Sequence, residues 1–278
     1  RGMPDNQSVD YSTRTNGVND IFNVTTKPMI FDIDNGGQLE HLPFVVKKLE
    51  RLGVSAIIME DKVGLKKNSL FADQSDVKQD SIKDFCKKIK KAKNSTVSDD
   101  FYVISRIESL ILGRSVKDAL NRAEAYSEAG TDCIMIHSKD KNPKSIFEFA
   151  KKFRKSKYFR PMIAVPSTYS MTYEKDLIQN GFKVVIYANQ LLRSSYFSMT
   201  RTASKILKNS RAFEADKNIS SVKEILELIK WSMINSQELF KLFIKNKINF
   251  FSGVPDSILK DFLNIKELKK KLTNITCV

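Results

Sequence analysis

Cysteine is scarce. Three in 278 residues, Cys86, Cys133 and Cys277, are too few and too scattered for a disulfide framework or a zinc site, and a reducing cytoplasm is the expected compartment. No apolar run approaches the roughly 18 residues that a membrane span needs, and no secretory signal is read at the N-terminus. The first residue is Arg1 rather than Met, so the natural start is expected upstream. A Gly-rich phosphate loop is missing as well: "DIDNGGQ" after the first apolar run is not a dinucleotide fingerprint. Acid is short relative to base, with 32 Asp and Glu against 47 Lys and Arg and a net charge of +15. That balance raises a nucleic-acid-binding face. However, 36 of the bases are Lys and only 11 are Arg, whereas base and phosphate readers favour Arg forks. The Lys also fall mostly in helical stretches such as "KDFCKKIKKAK", so the excess is read as a solvated surface. Such a field still raises the encounter rate of small anionic substrates.

What is present is a repeating unit. Short apolar runs end in polar residues and are followed by helical stretches: "MIFDID" (29–34), "AIIMED" (56–61), "YVISRIE" (102–108), "CIMIHS" (133–138), "MIAVPS" (162–167) and "VVIYAN" (184–189). Amphipathic segments lie between them at 42–53, 115–130 and 145–156, the second stopping at Ala129-Gly130. Strands alternating with helices predict a parallel sheet with right-handed crossovers. The polar ends match a β/α (TIM-type) barrel, which carries its chemistry at the C-terminal ends of its strands. Six strands are visible and a closed barrel needs eight, so the first two are expected before Arg1. A long helical region follows Asn189, in which Ser221 and Glu224 have capping-box spacing.

The strand-end residues Asp32, Asp34, Glu60, Arg106 and His137 form the candidate site. Three acids on neighbouring strands make a hard, oxygen-rich cluster suited to magnesium. An Arg and one of only two histidines on the next strands can meet an anion facing that metal. Each acid has a structural reading too, as the cap of the next helix. Side chains alternate along a strand, which puts Asp32 and Asp34 on one face and turns Asp61 away from Glu60.

With Asp32-Ile33-Asp34, Glu60-Asp61-Lys62, "KVGLKKNS", Arg106 and "MIHSK" on the page, the chain resembles the phosphoenolpyruvate mutase family of the isocitrate lyase superfamily, over about residues 1–230. The resemblance implies a magnesium-dependent isomerase that moves a phosphoryl group between the enol oxygen and the methylene carbon of phosphoenolpyruvate, making phosphonopyruvate. It implies Asp32 as direct metal ligand, with Asp34 and Glu60 supporting it through water. Asp5 in "GMPDN" aligns with an aspartate beside the reacting centre. Lys66 and Asn68 would belong to a gating loop, Asn68, Arg106 and His137 would hold the substrate's phosphoryl group, and Ser69 would be a further substrate-binding residue. "VPST" (165–168) and Asn189 match further strand-end positions. Relatives swap their last barrel helix between subunits, so a homo-oligomer, dimer or tetramer, is implied. No nucleic acid or membrane partner is. Three features depart from the family pattern: the carboxylate-binding Trp-x-Ser-Gly-Leu segment is absent, the turn Asn35-Gly36-Gly37 is about one residue short, and Tyr187 stands where Trp is common.

A phosphonopyruvate hydrolase, which tends to carry Thr at the position of Asn68, is the nearest rival. Lyase relatives carry a loop Cys, and this loop has none. A non-catalytic basic binding module is the rival from another class. The expected boundary falls at 234/235. Residues 235–278, with "GVPDS" at 253–257, resemble the opening of phosphonopyruvate decarboxylase, whose complete domain would use thiamine diphosphate.

Overall fold

The computed structural model describes residues 3, 6–64, 66–70, 73–228, 241 and 245. Residues Arg1–Leu191 form one compact unit and Leu192–Val278 another. The expected boundary at 234/235 falls outside the described residues, as do Asp5 and all of the decarboxylase-like stretch except residues 241 and 245. No helix among the described residues is long and apolar enough to cross a membrane.

The first unit is a parallel α/β half-barrel. Strands β1 (Ile30–Asp32), β2 (Ala56–Glu60), β5 (Tyr102–Ile107), β6 (Cys133–Ile136), β7 (Met162–Ala164) and β8 (Phe182–Val185) lie side by side in that order, every neighbouring pair parallel. Each corresponds to an apolar run in the sequence. The last begins two residues early and stops at Val185, and its pairing with β7 carries a register shift at Met162/Ile163.

Alternation along the strands divides the core in two. Ile57, Met59, Val103, Ile107, Ile134, Ile136, Met162 and Ala164 pack outward against helices α2 (Leu42–Arg51), α3 (Ile82–Lys93), α4 (Val116–Glu128) and α5 (Lys144–Phe153). Ala56, Ile58, Ile104, Met135, Ile163 and Val165 form a separate inner cluster. Being buried on both faces explains why these strands read as continuous apolar runs. The helices end where the sequence says they should. The Ser115 side chain caps α4, accepting from Asp118 N at 3.1 Å, and Gly130 just past its end has φ +108°. In the second unit, Ser221 and Glu224 form the reciprocal capping box at the start of Val222–Leu228, with Ser221 N to Glu224 Oε2 at 2.7 Å and Glu224 N to Ser221 Oγ at 3.2 Å.

Helix Glu174–Gln179 was not singled out in the sequence, and neither were two further elements. Helix α1 (Tyr11–Phe22) is capped by Asp10 but has a Gly in its middle and a weak apolar stripe. The antiparallel ribbon of β3 (Lys62–Val63) and β4 (Lys78–Gln79) has only two residues per strand. It is the root of the loop at 64–77.

Candidate active site

The register places the site. Glu60 and Arg106 are directly paired partners on β2 and β5, and Asp32 is paired with Ile58, two residues before Glu60. Side chains of period two therefore put Asp32, Glu60 and Arg106 on the face of the inner cluster, at its C-terminal rim. His137 follows β6 directly on the same face. Asp61 points the other way, as its position predicts. It is fully buried and accepts from Glu108 N (2.9 Å), Gln79 Nε2 (2.9 Å), Arg122 Nη1 (3.2 Å) and Tyr126 OH (2.8 Å). This network fixes the root of the loop to α4.

The turn after β1 brings its two acids together. Asp32 Oδ1 accepts from Asp34 N at 2.7 Å, and Asp34 takes a left-handed backbone, φ +56°, which Asp tolerates better than most residues. Gly36 is required here: its φ is +79°, and a Cβ on it would lie 2.5 Å from Met59 Sδ. Lys66, from the loop, places its ammonium 2.6 Å from Asp34 Oδ1 and 3.2 Å from Asp32 Oδ2. Arg14 of α1 lies 2.6 Å from Asp34 Oδ2 and also donates to the Asp32 carbonyl. Burial opposes the charge on Asp32, but Lys66 and Arg106 outweigh it and lower its pKa. The side chain is still 41% exposed, so solvent screens part of that effect.

A second cluster lies beside the first. Arg106 contacts Glu60 (Nη1 to Oε2, 3.3 Å) and Glu108 (Nε to Oε1, 2.5 Å) and donates to Ser69 Oγ at 2.7 Å. Lys62 is buried with its ammonium 2.8 Å from Ser69 Oγ, 3.1 Å from Glu108 Oε2 and 3.9 Å from Glu60 Oε1. The two acids that share these cations shift oppositely. Burial raises Glu60, with Glu108 adding repulsion. Glu108 is equally buried, but the close contacts to Arg106 and Lys62 overcome desolvation and lower it. The Arg106 contact to Glu60 is an ion pair without hydrogen-bond alignment, leaving Glu60 Oε2 buried and unbonded.

His137 is 5% exposed, and its Nδ1 is buried without a hydrogen-bond partner among the described residues. Desolvation, with the charge of Arg106, pushes its pKa down to about 4, so it is neutral near pH 7. Asn68 turns its Oδ1 to Leu70 N (3.0 Å), and its carbonyl accepts from Gln74 Nε2 (2.9 Å), shaping the loop tip. Asn189 reaches Ser167 Oγ at 3.5 Å, and Thr168 donates to the Ser138 carbonyl at 2.7 Å. Tyr187 is exposed and donates to Glu174.

Of the residues singled out in the sequence, Asp32, Asp34 and Lys66 come together, as do Glu60, Arg106 and Ser69. Lys62, Glu108 and Arg14 were missed. Glu108 had a visible signal, since it sits two residues after Arg106 on the same strand face. Arg14 lay on a helix with no legible pattern.

Among the described residues, no three His, Cys, Asp or Glu side chains converge as metal donors do. The ammonium of Lys66 is the cation that Asp32 and Asp34 share. The donor set nonetheless fits a hard divalent ion: oxygen ligands only, already gathered around one positive charge, beside a buried carboxylate oxygen with no hydrogen bond. Charge supports the fit as well. The four carboxylates of Asp32, Asp34, Glu60 and Glu108 face the four cations of Arg14, Lys62, Lys66 and Arg106 among the described residues. With all four acids ionised, an anionic substrate would meet no surplus positive charge among the described residues without an added cation.

Known proteins place this arrangement. Residues 1–207 match the family model described as phosphoenolpyruvate phosphomutase. A phosphonopyruvate hydrolase from Variovorax sp. (strain Pal2) is 35% identical over 230 residues, 81% of this chain and 77% of the relative. A phosphoenolpyruvate phosphomutase from Tetrahymena pyriformis is 32% identical over 228 residues, 82% of this chain and 75% of the relative. The crystal structure of a phosphoenolpyruvate phosphomutase from Streptomyces platensis subsp. rosaceus superposes with a TM-score of 0.79 at 30% identity, covering 87% of this chain and 83% of that one. A phosphonopyruvate hydrolase in complex with oxalate and magnesium gives 0.73 at 31% identity, covering 87% and 81%. With a matching family model and matching fold and sequence over most of its length, the chain belongs to the phosphoenolpyruvate mutase family, within the phosphoenolpyruvate mutase/isocitrate lyase superfamily.

Proposed function

We propose that the protein is a magnesium-dependent phosphoenolpyruvate mutase, interconverting phosphoenolpyruvate and phosphonopyruvate. The observation that carries this reading is the stretch 66–70, which reaches both rim clusters, through Lys66 to Asp32 and Asp34 and through Ser69 to Arg106. A phosphoryl group in transit has a loose, metaphosphate-like transition state. It needs charge stabilisation, positioning and exclusion of water rather than covalent help.

The roles follow from the residues. Asp32, with Asp34 and Glu60, would hold magnesium, which when bound supplies positive charge to the enolate side of the substrate. Arg106 presents a guanidinium fork to the phosphoryl oxygens. His137, neutral and with Nδ1 unpaired, can donate a hydrogen bond to one of those oxygens without adding charge. Asn68 brings the loop onto the same group, Ser69 ties the loop to Arg106, and Lys66 neutralises charge beside it. Asp5 is assigned beside the reacting carbon by resemblance alone. The hydrolase relative, 35% identical, keeps phosphonopyruvate hydrolysis as the second reading. Turnover of phosphonopyruvate should require magnesium and be abolished by a chelator; metal-independent turnover, or none, counts against both readings.

Residues 235–278 are proposed to open a phosphonopyruvate decarboxylase-like unit. A C–P bond made from an enol phosphate is an uphill product, and a tethered decarboxylation would draw it forward. Reading the coding sequence past Val278 tests this: an Asn-Glu-Gly-like segment within a few codons followed by further α/β sequence supports it, and an immediate stop refutes it.

A further inference from the structure

Glu108 has no part in the roles above, yet it is the most enclosed acid of the rim, fully buried. Its carboxylate joins three pieces of chain. Oε1 takes Arg106 Nε at 2.5 Å, from strand β5. Oε2 takes Lys62 Nζ at 3.1 Å, from the root of the loop, and the Ser69 hydroxyl at 2.6 Å, from the loop itself. Ser69 is saturated by this arrangement. A hydroxyl has one proton to donate and two lone pairs, and here it donates to Glu108 while accepting from Lys62 (2.8 Å) and Arg106 (2.7 Å). Lys62 also donates to the Lys67 carbonyl at 3.0 Å, a second tie to the loop. The acid itself is grounded in the fold, because Glu108 N is held by Asp61 at 2.9 Å and Asp61 is held by Arg122 and Tyr126 of α4. A carboxylate in this place would repel an anionic substrate, so its use is toward the cations and the hydroxyl.

A buried ion cluster is weak evidence for stability by itself, since apolar replacements often do as well. What apolar residues could not do is hold a loop hydroxyl and a phosphoryl-binding guanidinium in one fixed geometry. We propose that Glu108 is a positioning residue that latches loop residues 66–70 onto the rim through Ser69 while aiming Arg106, and that this latch determines whether the phosphoryl group is passed between oxygen and carbon or lost to water. The inference rests on the proposed phosphoryl chemistry. In the loss, the C–P bond of phosphonopyruvate breaks and leaves its electron pair on the methylene carbon. Water oxygen bonds to phosphorus and keeps one hydrogen, the other goes to carbon, and the products are pyruvate and orthophosphate.

The test uses the full chain with two variants, Glu108→Gln and Ser69→Ala. Glutamine keeps the shape but cannot accept the Ser69 proton on its amide nitrogen, and Ser69→Ala removes the loop's end of the same latch without touching the core. Amide hydrogen exchange at residues 66–70 is measured without substrate, and the ratio of orthophosphate to phosphoenolpyruvate formed from phosphonopyruvate is measured by phosphorus NMR. The latch predicts that loop amides exchange on the order of tenfold faster in both variants, that the orthophosphate share rises in both, and that kcat falls by more than KM rises. Unchanged loop exchange in Ser69→Ala overturns the latch, whether or not Glu108→Gln folds. Faster exchange with an unchanged product ratio overturns its role in excluding water. A wild type that converts no phosphonopyruvate refutes the functional reading instead, and loop exchange still decides the latch.

Discussion

The ammonium of Lys66 lies 2.6 Å from Asp34 Oδ1 and 3.2 Å from Asp32 Oδ2, so a loop residue and the proposed metal ligands share one set of contacts. A divalent ion binding these carboxylates must compete with that ammonium. Lys66→Met should therefore tighten magnesium binding in the absence of substrate, read by calorimetric titration, by about three- to tenfold, within about 1.4 kcal/mol. It should also lower kcat, because a cation is lost from the closed site. Weaker magnesium binding in the variant would show that Lys66 does not compete.

Asp32→Ala should remove measurable magnesium binding, since Asp32 is the assigned direct ligand and Asp34 and Glu60 are assigned to hold the ion through water. Folding should survive, because Asp32 keeps solvent contact. The check is the same titration paired with a melting curve. Wild-type magnesium affinity in a folded variant would remove the assignment.

Asp61 should matter for stability. It is fully buried and accepts from Gln79, Arg122, Tyr126 and the Glu108 amide. Asp61→Ala strips Arg122 Nη1, Gln79, Tyr126 and Glu108 N of their shared buried acceptor, leaving Arg122 ion-paired with Asp118 alone among the described residues, and should cost about 3–5 kcal/mol, the usual penalty for removing one partner of a buried pair. The urea midpoint should fall accordingly. A loss below about 1 kcal/mol would mean that this network does not anchor the loop root.

The legibility of the chain divides along the same line. Strands buried on both faces announce themselves as apolar runs, and the acids at their ends are conspicuous because they interrupt those runs; Glu60 after Ala56–Met59 is the clearest case. Parallel order and the face of each rim residue followed from alternation. The partners of those residues did not. Lys62 stood out only as part of the Glu60-Asp61-Lys62 motif and Glu108 as an ordinary charge, and only the closing of β3 on β4 and the return of Ser69 reveal that they meet. Arg14 was invisible for a related reason: α1 has too weak an apolar stripe to signal a helix, and its contact with Asp34 spans 20 residues. Single-sequence patterns report burial well and long-range polar pairing poorly.

His137 supplies a pH signature. Burial and Arg106 push its pKa down to about 4 from an ordinary value near 6.5. Between those values the unfolded chain binds more protons at this position than the folded one, so the group's contribution is fully present above pH 6.5 and is lost as pH falls toward 4. The slope from this group is at most about 1.4 kcal/mol per pH unit. Urea unfolding of His137→Asn against wild type should give converging curves from pH 6.5 to 4, with the variant losing less stability on acidification. Parallel curves would mean that the fold leaves the His137 pKa unshifted.

The most direct measurement is phosphorus NMR of the protein incubated with phosphonopyruvate and magnesium. The account predicts that the phosphonate resonance is replaced by that of phosphoenolpyruvate, the favoured side of the equilibrium, with orthophosphate a minor product. Accumulation of orthophosphate with pyruvate from the start, and no phosphoenolpyruvate, would contradict it and make the protein a hydrolase.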